Sequence, residues 1–288
     1  MTVKKKRKSL FSFLKNNDWK QYWSTKISTV NQETGNSIVR GYPLCDIIES
    51  NMSFAELVFL VTKGELPNEK QATMVNVLLC SIGDYGFNSM VTVPGRTITS
   101  ASPDSPMPGI AAGLLSLGRT YVSPQFAGEL LEKSYATMKK ENLTVEQIAD
   151  RVVTDYTERG EALPGLGHPL YRADDLRAES LLKVQHKLNI FGDKSALYEA
   201  IRVRAEKEFG REISLNWPAR VACIGAELGM EPFEYTGIAA IAYMPALIAH
   251  IQEEVKEGVP LRIVPPVVRD YTGVPERPLP EKYSKIGV

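Results

Sequence analysis

The sequence predicts a mainly α-helical fold with one small β-hairpin near its start. Apolar residues recur at helical spacing in segment after segment, and two capping boxes stand directly ahead of such segments. Alternation of the β type is confined to residues 27–40. No strand–helix rhythm follows the hairpin, which argues against a parallel α/β sheet.

The chain opens on Lys4, Lys5, Lys6, Arg7 and Lys8, followed by Leu10, Phe11, Phe13 and Leu14. The apolar part is too short and too interrupted for a secretory signal, so residues 1–23 read as a solvated basic tail leading into a first helix. Ile27 to Val30 and Ser37 to Val39 form the hairpin around a polar turn with Gly35, and it closes at Arg40, Gly41, Tyr42 and Pro43. Ser53 with Glu56 is a capping box opening a helix through Leu57, Val58, Leu60 and Val61, which Gly64 and Pro67 stop. A second helix is expected over 69–82, with Val75, Val77, Leu78 and Leu79 on its apolar side. The small apolar run at 110–117 suits close helix packing. Thr144 with Gln147 caps a helix towards Tyr156, and helical patterns return over 177–187, 195–209, 218–228 and 232–257. From Val259 onwards Pro260, Pro265, Pro266, Pro275, Pro278 and Pro280 exclude a helix and predict an extended arm over this subunit or a neighbouring one.

Composition narrows the function classes. The 288 residues carry 34 Lys+Arg against 34 Asp+Glu, so the electrostatic ground for a nucleic-acid partner is missing. No apolar run reaches the roughly 18 residues of a membrane span. Cys45, Cys80 and Cys223 form no CxxC, so neither a disulfide framework nor a cysteine zinc site is expected, and the setting reads as cytoplasmic. Neither GxGxxG nor GxxxxGK[ST] occurs. The histidines number three: His168, His186 and His250.

The densest chemical signal is the segment from Ala162 to Arg177. Leu163, Pro164, Gly165, Leu166 and Gly167 make a tight, backbone-exposed loop able to recognise a ligand through main-chain groups. It ends at His168, which titrates near neutrality and can donate to a carbonyl oxygen or shuttle a proton. Arg177, nine residues later, can hold a carboxylate in a bidentate fork. His186, in a lysine-rich stretch, reads as a surface residue, and His250, on the apolar 246–251 helix, as a satisfied core or interface histidine.

From about Ser24 to Tyr283 the chain resembles the citrate synthase superfamily, and among its members the short citryl-CoA lyase type. The landmarks are Ile38 to Tyr42, the Ser53 helix ending at Pro67, Asp84-Tyr85-Gly86, the 110–118 helix, the 164–177 segment, Asn216 ahead of Leu228 and Gly229, and Ile248-Ala249-His250. The resemblance implies a helical homodimer. A large domain would comprise residues 24–122 and 223–288, a small one 123–222, with the active site in the cleft between them. It implies chemistry that makes or breaks a carbon–carbon bond beside a coenzyme A thioester, with an acyl-CoA and a carboxylate-bearing substrate as ligands and no metal. Leu163, Pro164, Gly165, Leu166 and Gly167 would match the CoA adenine-binding turn, His168 the carbonyl-polarising histidine, and Arg177 a carboxylate-binding arginine. Tyr85 and Asn216 would be further substrate-binding positions.

The sequence departs from the family pattern elsewhere. The position of the catalytic aspartate is Pro218, which can neither accept an α-proton nor donate a hydrogen bond. The loop histidine is Tyr85, no histidine occurs between Arg119 and Phe126, and an arginine is missing near Tyr243. Asp84 and Asp104 are the candidate substitute bases. Two readings stand: an enzyme with an altered site and a non-standard substrate, or a non-catalytic homologue that binds a CoA ester and dimerises.

Overall fold

The computed structural model describes residues 23–122, 124–167 and 175–283. The basic run at 4–8 and His168 lie outside them.

The hairpin predicted over 27–40 is the first part of a three-stranded antiparallel sheet, order β1 (Ser28–Val30), β2 (Ser37–Val39), β3 (Tyr42–Pro43). Thr29 pairs with Ile38, and Ile38 with Pro43. The third strand, read from sequence only as the hairpin's end, forms because Arg40 (φ 50°) and Gly41 (φ 94°) turn the chain back at once. Arg40 then ties the sheet to the helical body, its Nε and Nη2 donating to the Val61 carbonyl at 2.9 and 2.7 Å.

Eleven α-helices follow among the described residues. The first five are α1 (Leu44–Glu49), α2 (Phe54–Lys63), α3 (Glu69–Cys80), α4 (Thr92–Ala101) and α5 (Met107–Leu115). Then come α6 (Pro124–Glu141), α7 (Val145–Glu158), α8 (Leu176–Lys187), α9 (Asp193–Phe209), α10 (Trp217–Glu227) and α11 (Pro232–Glu257). Both predicted capping boxes are present at Ser53 and Thr144, and Gly64 ends α2 in the left-handed conformation. Helices α1, α4 and α6 have no counterpart in the sequence reading. Helix α4 (TVPGRTITSA) is rich in β-branched residues and carries Pro94 and Gly95, so packing rather than propensity forms it.

Nearly all of α10 is buried, Trp217 to Ala226, and it packs against α6, α9 and α8. Around it one continuous apolar cluster runs from Phe59 and Leu78 through Leu131, Ile148 and Tyr198 to Tyr235 and Leu247. Helices α4 and α5 touch through glycine: a Cβ on Gly113 would come within 2.9 Å of the Leu247 side chain and the Val91 carbonyl. Past α11 the described residues form no further α-helix or strand, with 3₁₀ turns at Pro266–Val268 and Glu281–Tyr283. None of the helices among the described residues is long and apolar enough to cross a membrane.

Candidate active site

The 163–167 loop is fixed from several sides. Gly165 (φ 78°) and Gly167 (φ 71°) are left-handed, and a Cβ on Gly165 would lie 2.5 Å from the Ala219 Cβ, so glycine is required there for both conformation and space. The Tyr198 hydroxyl donates to the Pro164 carbonyl at 2.6 Å. The Asn216 N–H donates to the Gly165 carbonyl and the Gly167 N–H to the Ser214 carbonyl, both at 3.0 Å. Asn216 Nδ2 donates to the Gly167 carbonyl at 2.9 Å, while its Oδ1 caps α10 by accepting the Ala219 N–H at 3.2 Å. Asn216 therefore binds the loop to the start of α10 through both ends of its amide. Pro218 is the second residue of that helix, where a missing N–H costs nothing.

Leu163, Pro164, Gly165 and Asn216 form one wall of a cleft of about 1280 Å³. Helices α6 and α7, with Arg119 and Thr120, form the remainder. The cleft carries charges of both signs, and two of its cations are in ion pairs: Arg151 with Glu141 at 2.6 Å, Arg159 with Asp155 at 3.0 Å.

Arg177 lies in the first turn of α8. Its Nε and Nη2 donate to the two oxygens of Asp175, each at 2.9 Å, and Asp175 Oδ2 also accepts the Trp217 N–H at 2.9 Å. Burial by itself raises the Asp175 pKa, but the Arg177 guanidinium and the N–H groups of Trp217 and Arg177 outweigh it and hold the carboxyl below its ordinary range. The guanidinium lies over the Tyr85 ring, 4.6 Å from its centroid. Tyr243 is buried, and burial first, then Tyr121, drives its pKa far above the ordinary phenol value. The Tyr121 hydroxyl donates to Ser89 Oγ at 3.3 Å.

Asp84 and His250 form a pair beside this group, with His250 Nε2 3.0 and 3.1 Å from the two Asp84 oxygens. Asp84 also accepts the N–H groups of Tyr85 at 2.7 Å and Gly86 at 3.1 Å. Burial raises its pKa, yet Gly86, His250 and Tyr85 together bring it below the usual carboxylate range, and its two backbone contacts hold the turn. Asp104 sits on an exposed turn. His186 is exposed and stacks on Phe191 at 4.4 Å.

The structure thus brings Tyr85 and Arg177 together. It places Leu163, Pro164, Gly165 and Asn216 on the cleft wall, and leaves His168 undescribed. Sequence reading missed Asp175, Tyr198 and Ser89. Asp175 alone carried a local signal, an acidic N-cap two residues ahead of an arginine; the others meet the site only through tertiary packing.

The family profile described as "Citrate synthase, C-terminal domain" matches residues 21–125 and 71–266, which together take in most of the chain. The chain belongs to the citrate synthase family. Among solved structures it is similar to citryl-CoA lyase from Hydrogenobacter thermophilus, with 28% identity and a TM-score of 0.81 over 90% of this chain and 98% of that one. ATP citrate lyase from Methanothrix soehngenii, solved with citrate and coenzyme A, shares the fold at 17% identity and a TM-score of 0.72, over 93% of this chain and 45% of that one. Citrate synthase from Haloferax volcanii is 25% identical over 227 residues, 78% of this chain. The chain spans only 56% of the length of that citrate synthase.

Proposed function

We propose that the chain is an enzyme of the citryl-CoA lyase type. It would make or break a carbon–carbon bond beside a coenzyme A thioester, with an altered active site and a non-standard substrate. The observation that carries this reading is the 163–167 loop, locked by Tyr198, Ser214 and Asn216 against a large cleft, with Arg177 tied through Asp175 to Trp217, the residue after Asn216. A loop held this firmly presents its remaining main-chain groups without an ordering cost on binding, which suits the flat adenine of CoA. In this assignment Leu163, Pro164, Gly165, Leu166 and Gly167 seat the CoA. His168 polarises a carbonyl. Arg177, Tyr85 and Asn216 define the partner pocket, Arg177 taking its carboxylate.

The active unit in this reading is a cytoplasmic homodimer, divided into 24–122 with 223–288, and 123–222. Its support is apolar surface on neighbouring elements. Helix α5 buries only Gly109 and Gly113 and exposes Met107 and Leu115, while Ile98 of α4 and Ile248 of α11 are also exposed. The free thiols of Cys45, Cys80 and Cys223 suit a reducing compartment.

The test is calorimetric titration with CoA and acetyl-CoA, followed by incubation with citryl-CoA and related 3-hydroxyacyl-CoA esters while free CoA and acetyl-CoA are measured. Binding with turnover, with turnover or CoA-ester binding lost in His168→Ala while the dimer stays folded, is the expected outcome. CoA binding with no turnover of any ester would instead favour the non-catalytic homologue, and unchanged affinity and activity in His168→Ala would remove the site assignment.

A further inference from the structure

The turn Asp84-Tyr85-Gly86 puts an aromatic ring under Arg177, yet apolar packing holds little of it. Gly83, Asp84, Phe87 and Asn88 are exposed, and Gly83 (φ 54°) and Gly86 (φ 52°) are left-handed. A segment that buries so little keeps one conformation through polar contacts. Asp84 supplies two of them. Its Oδ1 accepts the N–H groups of Tyr85 at 2.7 Å and Gly86 at 3.1 Å, so this oxygen helps set the backbone from which the Tyr85 ring projects. The same carboxylate meets His250 Nε2 at 3.0 and 3.1 Å. An ionised carboxylate only accepts, so Nε2 is the donor.

His250 is held independently of the turn. It belongs to α11, and only 14% of its side chain is exposed. Its Nδ1 faces Arg96 Nη1 at 3.5 Å and Glu253 at 3.8 Å, and its ring lies 6.4 Å from that of Phe87. Arg96 is itself fixed by Glu254 of the same helix at 2.5 Å. The bond from Nε2 to Asp84 thus carries the position of a well-packed helix to an exposed turn.

From the turn to Arg177 is a single contact, the guanidinium carbon standing 4.6 Å from the Tyr85 ring centroid. Asp175 holds the Nε and Nη2 edge, and the ring lies against the guanidinium face. A guanidinium takes a carboxylate in its own plane, so tilting that plane spoils the fork even though the charge remains.

Resting on the CoA-thioester reading above, we infer that His250 is a positioning residue for the carboxylate site. Through Asp84 it holds Tyr85 under Arg177, and so sets the plane in which Arg177 meets a carboxylate. His250 touches no substrate in this assignment. What matters is its donor nitrogen: glutamine keeps an Nε2 donor, whereas leucine fills similar space without one.

The experiment uses the full chain and two readouts. The first needs no ligand. It follows the Arg177 Nε–H resonance in protein carrying isotope-labelled arginine, assigned by its absence in Arg177→Gln. The Tyr85 ring current displaces this resonance in the wild type. Tyr85→Leu and His250→Leu are expected to abolish the displacement and His250→Gln to keep it. Asp84→Ala, on the exposed turn, repeats the test without touching the helix and decides it should His250→Leu not fold. The second readout is calorimetric titration of oxaloacetate and of pyruvate into the CoA-saturated protein, the tighter of the two being followed into the variants. His250→Leu is expected to weaken it about fivefold, the effect of one cation–π contact, with CoA affinity unchanged, and His250→Gln to restore it within about twofold.

An Arg177 resonance unmoved in His250→Leu or Asp84→Ala overturns the inference, as does a moved resonance with unchanged acid affinity. Equal losses in His250→Leu and His250→Gln make His250 a packing residue and overturn it as well, and so does a CoA-loaded wild type that binds neither acid. Failure of the wild type to bind CoA overturns the functional reading itself. The two failures are distinguishable, because the resonance reports the contact between Tyr85 and Arg177 with no ligand present.

Discussion

Two arginines grip the same short loop and differ in one respect that separates structure from site. Arg96 of α4 lies 5.0 Å from the centroid of Phe87, and Arg177 of α8 lies 4.6 Å from that of Tyr85, two residues earlier. Each also meets a buried carboxylate: Arg96 reaches Glu254 at 2.5 Å and Arg177 reaches Asp175 at 2.9 Å. The chemical unit is the same, a guanidinium, a carboxylate and an aromatic ring. The surroundings differ. Arg96 keeps 6% of its side chain exposed and has a second acidic neighbour, Glu253 at 3.1 Å, while Arg262 closes over Glu254 and Phe87 from the C-terminal arm. Arg177 keeps 26% exposed, with no second carboxylate among the described residues. Its pairing with Asp175 uses Nε and Nη2, so among the described residues Nη1 is the open edge. A fully matched guanidinium fastens the arm; one matched on a single edge retains capacity for a ligand.

The comparison predicts unequal costs. Glu254→Gln should be the largest, about 3–5 kcal/mol of unfolding free energy, because it strips Arg96 and Arg262 of their shared anion in a buried place. It should also release the arm, read as faster proteolysis beyond Val259 in a limited digest. A loss below about 1 kcal/mol in urea unfolding would place the arm's anchorage elsewhere. Arg177→Gln comes next, at about 2–3 kcal/mol, because Asp175 remains buried with only the N–H groups of Trp217 and residue 177 to compensate it. The same variant should abolish binding of a carboxylate partner while CoA affinity holds. Parallel loss of both would mean that Arg177 supports the loop rather than the ligand.

What the sequence disclosed follows from where each interaction is encoded. Helices α2 and α7 were legible because a capping box and an apolar stripe lie within a few residues. The glycine loop was legible for the same reason, since left-handed turns are written in glycine. Helix α4 was not, because Gly95 and Arg96 are held there by α5 and, from far along the chain, by α11. The site divided along the same line. Arg177 and Asn216 stood out as residue types in suggestive company, but Tyr198, whose hydroxyl fixes Pro164, lies 34 positions away inside a helix with no local mark. Asn216 was expected to meet substrate, and its cap to α10 and its bond to Gly167 add a fastening role that spacing cannot express.

Asp175→Asn should have the smallest effect and separates the two arginines best. Asparagine keeps an oxygen for the Trp217 N–H, and Arg177 at 26% exposure can be solvated, so the expected cost is about 1 kcal/mol. The pH dependence carries a sign. Asp175 has a folded pKa below its unfolded one, so its contribution is present above about pH 4 and is lost as pH falls towards the folded value. Urea midpoints of wild type and variant should therefore differ at pH 7 and converge as pH falls through the folded value. Because Arg177 gains a free edge in this variant, the affinity for a carboxylate partner should rise or hold even as stability falls. Stability and binding falling together, or a cost near that of Glu254→Gln, would make Arg177 a structural arginine like Arg96 and erase the distinction between the two sides of the loop.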